Sequence, residues 1–304
     1  MISEEDVKNG FFYCLGRYPE SQRTIDAHRN FDSIEALRTA LKESAEYKAL
    51  TNHFEKETWV CKEVLGDKRI WLDLSDRYVS RGCLLDNYEP IESNFIRDSI
   101  KEGDTFLDIG ANIGWFSLLA SQLVGNTGKV VAFEPRKTTF KYLTKSISQN
   151  RIGKYVKAYN LALADKPGSL EIGWAEGTPN PGGTHLVFSK NENYHYQTVD
   201  AKTLDSFLNK DFSKVDFIKI DVEGAEGLVF SGASKILQAF KPTILSELHP
   251  KQLKAVSGIS CAEYISKMKK FGYKCYMLNE NGLGPEIDDW PENYEKDLIS
   301  VVFK

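Results

Sequence analysis

The chain predicts an α/β fold, a doubly wound and mostly parallel sheet with helices on both faces. From residue 104 onward, strand-like and helix-like runs alternate, the pattern of successive βαβ units. A glycine turn, Leu107-Asp-Ile-Gly-Ala-Asn-Ile-Gly, falls where one strand gives way to a helix. Several strand-like runs end abruptly in acids, which lines carboxylates along one edge of such a sheet. A length of 304 residues suits about two domains.

Residues 1–50 predict a small helical module. Ser3 followed by Asp6 is a capping-box-like start, and Val7, Phe11 and Cys14 recur at helical spacing. Pro19 ends that pattern, and Ser33 caps a second helix with Ile34, Leu37 and Leu41 on one face. Residues 51–103 form a lead-in: runs at Trp59 and Arg69 flank Gly66-Asp67 as a hairpin, and Ile91, Phe95, Ile96 and Ile100 mark a helix. Residues 104–304 form the main domain, with seven strands at 105–109, 130–133, 156–161, 217–221, 243–247, 274–278 and 298–303. Helices are expected at 115–123, 138–149, 225–239 and 261–271. The Pro/Gly-rich stretch 176–184 reads as a loop over the sheet edge.

Lys and Arg total 39 against 43 for Asp and Glu, a net charge of −4 that gives no whole-chain attraction to nucleic acid. The acidic start has no basic region leading into an apolar one, and no apolar run is long enough to span a membrane. The five cysteines are scattered and form no C-x-x-C pair, so a reduced, cytoplasmic setting is expected.

At the glycine turn, Gly110 permits a tight bend and Gly114 lets the helix start close to the strand. A dinucleotide fingerprint would need glycines where Asn112 and Trp115 stand. Asp108, just ahead of the turn, would repel a pyrophosphate but suits a cation such as the amino group of S-adenosylmethionine. None of the fourteen tyrosines has Lys four residues later, which argues further against a short-chain dehydrogenase. Glu134 ends the next strand 24 residues after Gly110, close to the spacing of an acid that binds ribose hydroxyls.

A second acidic group, Asp221, Glu223 and Glu226, ends the strand Phe217-Ile-Lys-Ile. Asp221 and Glu223 suit a cation, a polyhydroxyl substrate or a proton-acceptor role, and Glu226 reads as the first turn of the following helix. Glu247 and His249 share a face at the next strand end, and His titrates nearest neutral pH. No metal site is expected, although Asp221, Glu223 and His249 could hold an ion if they converged. Trp174, Phe188, Tyr194 and Tyr196, on the stretch 174–196 taken as a loop, offer faces for sugar rings.

Together LDIGANIGWFS (107–117), VVAFEP (130–135), TLDSF (203–207), FIKIDVEGAE (217–226) and ELHP (247–250) resemble the FkbM family of S-adenosylmethionine-dependent methyltransferases. Tyr88-Glu89-Pro90 and the stretch from Asn160 to Asp165 are also similar to it. The resemblance implies a Rossmann-like class I methyltransferase with S-adenosylmethionine as cofactor and O-methylation of sugar or natural-product hydroxyls. It implies that Asp108, Gly110, Ala111, Asn112 and Gly114 hold the methionine end, that Glu134 and Pro135 meet the ribose, and that Leu161 and Ala162 line the adenine. Asp221 would touch the cofactor, and with Glu223, Glu247 and His249 would face the transferred methyl, His249 acting as base. Phe11 to Pro19 resembles an L-G-R-x-P helical module found beside surface-carbohydrate enzymes, which points to a nucleotide sugar, lipid-linked oligosaccharide or polysaccharide as acceptor. The alternatives are a small natural product as acceptor, or a non-enzymatic, cofactor-binding partner docked through residues 1–50 to a glycan-assembly complex. A nucleic-acid substrate lacks the basic–aromatic stripe it would need.

Overall fold

The computed structural model describes residues 2–15, 17–47, 57–175, 183–187, 192–208, 210–290 and 298–304. The chain divides into two compact units: Met1–Thr58 with Asp73–Ser75, and Trp59–Leu72 with Asp76–Lys304. In the first, α1 (Glu4–Leu15), α2 (Gln22–His28) and α3 (Ile34–Glu43) enclose Val7, Phe11, Cys14, Leu37 and Leu41. The start of α1 is reciprocally capped, Asp6 N–H donating to Ser3 Oγ and Ser3 N–H to Asp6 Oδ2, each at 3.0 Å. Ser33 caps α3 by accepting from Ala36 N–H. Helix α2 was not expected; its own cap, Ser21, accepts from Thr24 N–H.

In the larger unit, the hairpin of β1 (Trp59–Val64) and β2 (Lys68–Asp73) turns at Leu65 and Gly66, both at positive φ. Helices α4 (Val79–Leu84) and α5 (Pro90–Ser99) follow; only α5 was expected. Strands β3 (Thr105–Ile109), β4 (Lys129–Phe133), β5 (Val156–Tyr159), β10 (Phe217–Ile220) and β11 (Thr243–Leu248) run parallel in the order β5-β4-β3-β10-β11. Helices α6 (Trp115–Leu123) and α7 (Lys137–Gln149) are the crossovers between β3, β4 and β5. Beyond β11 lie β14 (Ile299–Phe303), β12 (Cys275–Asn279) and β13 (Gly282–Ile287), all antiparallel.

The sheet therefore has eight strands where seven were counted, because β12 turns back into β13 at the edge. With two glycines and a proline in Gly-Leu-Gly-Pro-Glu-Ile, β13 carries little strand signal. Alternation sorts the strands into two cores. Leu107, Ile109, Val131, Phe133 and Ile218 face one side, while Phe106, Val130, Ala132, Phe217 and Leu245 face the other.

Two expectations give way to a second, four-stranded sheet of order β6-β9-β7-β8. The run at 156–161 ends at Tyr159, and β6 (Ala162–Leu163) leaves to pair with β9 (Tyr194–Lys202). The stretch 174–196 is not one loop: Trp174 ends β7 (Gly168–Ala175), Tyr194 and Tyr196 open β9, and β8 (His185–Leu186) pairs with β7. Phe188 and residues 176–182 lie outside the described residues. The expected helix at 225–239 is two, α8 (Glu226–Ser231) and α9 (Ser234–Phe240), parted at Gly232, where a side chain would strike the Ala164 carbonyl. Helices α10 (Pro250–Ser257) and α11 (Cys261–Lys270) complete the unit. No helix among the described residues is long and apolar enough to cross a membrane.

Candidate functional site

The carboxyl ends of β3, β4 and β10 open into one cleft, the position such a sheet gives its ligands. Gly110 sits at φ +80°, and a Cβ there would run into the carbonyl oxygen of Asp221. The turn hangs on β4, since Gly110 and Ala111 N–H both donate to Phe133 O at 3.0 Å. Glu134 then clamps it from the side. Its Oε2 accepts from Asn112 N–H at 2.9 Å and its Oε1 from Arg136 N–H at 2.8 Å. Burial pushes this carboxyl up to about 7 against the lowering effect of those two donors. Asn160 closes the corner, its amide donating to the carbonyls of Glu134 and Pro135, both at 2.9 Å.

Of the residues singled out from sequence, Gly110, Asn112, Glu134, Pro135, Leu161, Ala162, Asp221 and Glu223 line this cleft together. Asp108, Ala111, Gly114, Glu247 and His249 are not among its lining residues. Asp108 is buried inside the fold, where Ser117 Oγ donates to its Oδ2 at 2.6 Å. Gly114 caps α6 at φ +97° beneath Leu143. His249 is the N-cap of α10, and its Nδ1 is buried with no hydrogen-bond partner. Ile172 and Leu186 of the second sheet add apolar wall to the cleft, a contribution invisible without that sheet.

The loop after β10 is shaped by its own backbone. Glu223 has φ +54° and Gly224 φ +96°, with the Gly224 Cα against the Gln252 carbonyl. Gln252 Nε2 donates to Glu223 Oε2, leaving the other carboxylate oxygen for the cleft. Burial, then the neighbouring Asp221, push Glu223 up to about 7. Glu226 is the first residue of α8 as expected, but it is buried. Its Oε1 accepts from Val222 N–H at 3.2 Å and Gly224 N–H at 3.3 Å, so it holds the loop.

Sequence reasoning missed Lys219, a buried lysine within an apolar strand. Its ammonium donates to Asp221 Oδ2 at 3.2 Å and lies 4.8 Å from the Phe116 ring. Surrounding carboxylates, Asp221 first, hold it in the charged form against the opposing effect of burial. Glu89, quoted only within a resemblance, meets Asp221 and Glu247 here.

The titrations carry a stability consequence. Glu134 and Glu226 are both pushed from 4.5 to about 7 by burial, so the folded state retains protons that the unfolded state loses first. Their contribution is complete below the unfolded value and is lost as pH rises through the folded one. The thermal midpoint of the ligand-free protein should fall between about pH 5 and about pH 8, and Glu226→Gln should flatten that fall in a melting series.

The cleft fits S-adenosylmethionine in its parts. A glycine corner too tight for a Cβ, the buried carboxylate of Glu134, the apolar Leu161 and Ala162, and the acids Asp221 and Glu223 line it together. Residues 108–275 match the model of the methyltransferase FkbM domain, more than half of the chain. A curated relative, methyltransferase sdnD of Sordaria araneosa, is 26% identical over 159 residues, which are 42% of this chain and 60% of that protein. The chain thus matches less than two thirds of that relative's length. A solved methyltransferase FkbM from Methylobacillus flagellatus is similar at 12% identity and TM-score 0.43, over 70% of this chain and 50% of that one. Fibrillarin of Aeropyrum pernix, solved with S-adenosyl-L-methionine bound, is similar at 11% identity and TM-score 0.41, over 70% of this chain and 73% of that one. The chain belongs to the FkbM methyltransferase family.

Proposed function

We propose that this protein transfers a methyl group from S-adenosylmethionine to a hydroxyl of a sugar-containing acceptor, in a cytoplasmic setting and in the service of surface-glycan assembly. The observation that carries the reading is that Gly110, Asn112 and Glu134 line one cleft together with Asp221 and Glu223. When bound, the cofactor supplies a methyl carbon activated by the sulfonium.

The chain's own residues then have to orient an alcohol and remove its proton, because an alcohol is a weak nucleophile at neutral pH. Asp221, held by Lys219, stays fixed as a hydrogen-bond acceptor for the incoming hydroxyl. Glu223 is the proton acceptor: it lines the cleft, has one oxygen free of Gln252, and is poised at about 7. Glu247 lies at the end of the neighbouring strand and His249 caps the helix after it, both outside the cleft lining.

Turnover should rise with pH through about 7, as Glu223 ionises, and level off above it. Glu223→Gln should lower kcat roughly 100- to 10,000-fold and remove that limb of the profile, with cofactor affinity little changed. An unchanged kcat would take the base role from Glu223. Absence of S-adenosylmethionine binding in calorimetry would remove the functional reading altogether.

A further inference from the structure

Strand alternation puts Lys219 and Asp221 on one face, and the register with β11 puts Leu245, and therefore Glu247, on that same face. Glu89 arrives from a different part of the chain, ahead of α5, in a left-handed conformation at φ +41°. One carboxylate oxygen from each of Glu89, Asp221 and Glu247 lies within 4.8 Å of the others. Lys219 brings an ammonium to these carboxylates, and its hydrogen bond goes to Asp221. Glu89 Oε2 is wholly buried and has no hydrogen-bond partner. Three carboxylates thus face one ammonium, with a buried acceptor atom left unmet, which is costly unless a ligand meets it.

We propose that Glu89, Asp221 and Glu247 form a binding site for a primary ammonium group carried by a ligand of the adjoining cleft. The three N–H bonds of an ammonium diverge tetrahedrally. Acceptors about 2.8 Å from its nitrogen therefore stand about 4.6 Å apart. These oxygens lie within 4.8 Å of one another, a limit that admits this spacing. The charge count agrees, since one further monocation would still leave the cluster acidic. Burial pushes Glu89 up to about 7 and Glu247 well above its ordinary value, with Asp221 raising both and Lys219 opposing. Tyr88 donates a side-chain hydrogen bond to the Glu89 carboxyl and lowers it, Glu92 raises it, and Glu223 faces Glu247. An incoming ammonium would favour the ionised carboxylates, so its binding should release protons. The ammonium has two possible sources, the methionyl end of the cofactor or an amino group on the acceptor. The site rests on the assignment of the cleft to the cofactor only in the first case.

Calorimetry on the full-length protein distinguishes them. Wild type, Glu89→Gln and Glu247→Gln are titrated with S-adenosylhomocysteine, with methylthioadenosine, which lacks the amino-acid end, and with glucosamine. A cofactor source predicts that each substitution weakens S-adenosylhomocysteine about tenfold or more and leaves methylthioadenosine unchanged. An acceptor source predicts unchanged adenosyl ligands and loss of glucosamine binding. If both variants match wild type for all three probes, the proposal is overturned. It is equally overturned if Mg2+ or Ca2+ binds tightly and is lost in the variants, which would make the cluster a metal site. Wild type that binds neither adenosyl ligand would overturn the cofactor reading alone, because the glucosamine arm still reports on the cluster. Melting curves and the second variant separate loss of the site from loss of the fold.

Discussion

Gly110→Ala should all but abolish cofactor binding. The residue sits at φ +80°, where an L side chain costs about 1–2 kcal/mol. Its new Cβ would also meet the Asp221 carbonyl, a backbone atom that cannot swing aside. Forced overpacking of this kind adds about 1–3 kcal/mol. Relief requires β3 and the exit of β10 to separate, and both carry cleft residues. We expect S-adenosylhomocysteine affinity to fall roughly 100-fold or more, with a thermal midpoint several degrees lower. Gly153 is the control: its Cα faces open space, and Gly153→Ala should change neither quantity.

Glu134→Ala should have a comparable effect by a different route. It removes the acceptor of two backbone N–H groups, those of Asn112 and Arg136, and leaves each without its partner. An orphaned buried donor costs about 1–3 kcal/mol, so the turn loses its clamp. Affinity for S-adenosylhomocysteine should drop about 100-fold. Glu134→Gln keeps the shape and one acceptor oxygen but turns an amide donor toward the other N–H, and should fall between. A Gln variant that binds as tightly as wild type would show that the carboxylate only supports the loop.

The legible part of the fold was the part whose signal is local. Strands β3 and β10 are buried throughout, so they read as short apolar runs, and α6, α7 and α11 carry clear helical spacing. The second sheet was illegible because β7 and β9 mix polar, glycine and aromatic residues and are separated by a Pro/Gly-rich stretch. Helix α10 is bracketed by local signals, Pro250 at its first turn and Gly258 just beyond its end.

At the site, Gly110, Glu134, Asp221 and Glu223 could be found because a parallel sheet collects its strand ends at one edge. Asp108 lies one residue before the end of β3, opposite Lys219 in register, so its carboxylate turns into the packed face rather than the cleft. The meeting of Glu89 with Asp221 and Glu247 depends on register and on how α5 packs, which no local pattern encodes.

Methyl transfer to oxygen from this cleft can be followed by the fate of a labelled methyl group. Purified protein is incubated with S-adenosylmethionine carrying an isotopically labelled methyl and with nucleotide sugars, lipid-linked oligosaccharides and finished polysaccharide. Products are then read by fragmentation mass spectrometry. One labelled methyl is expected on a sugar hydroxyl of at least one acceptor, lost in Glu223→Gln. Protein that binds the cofactor yet labels none of them, or labels nitrogen or carbon instead, would contradict it.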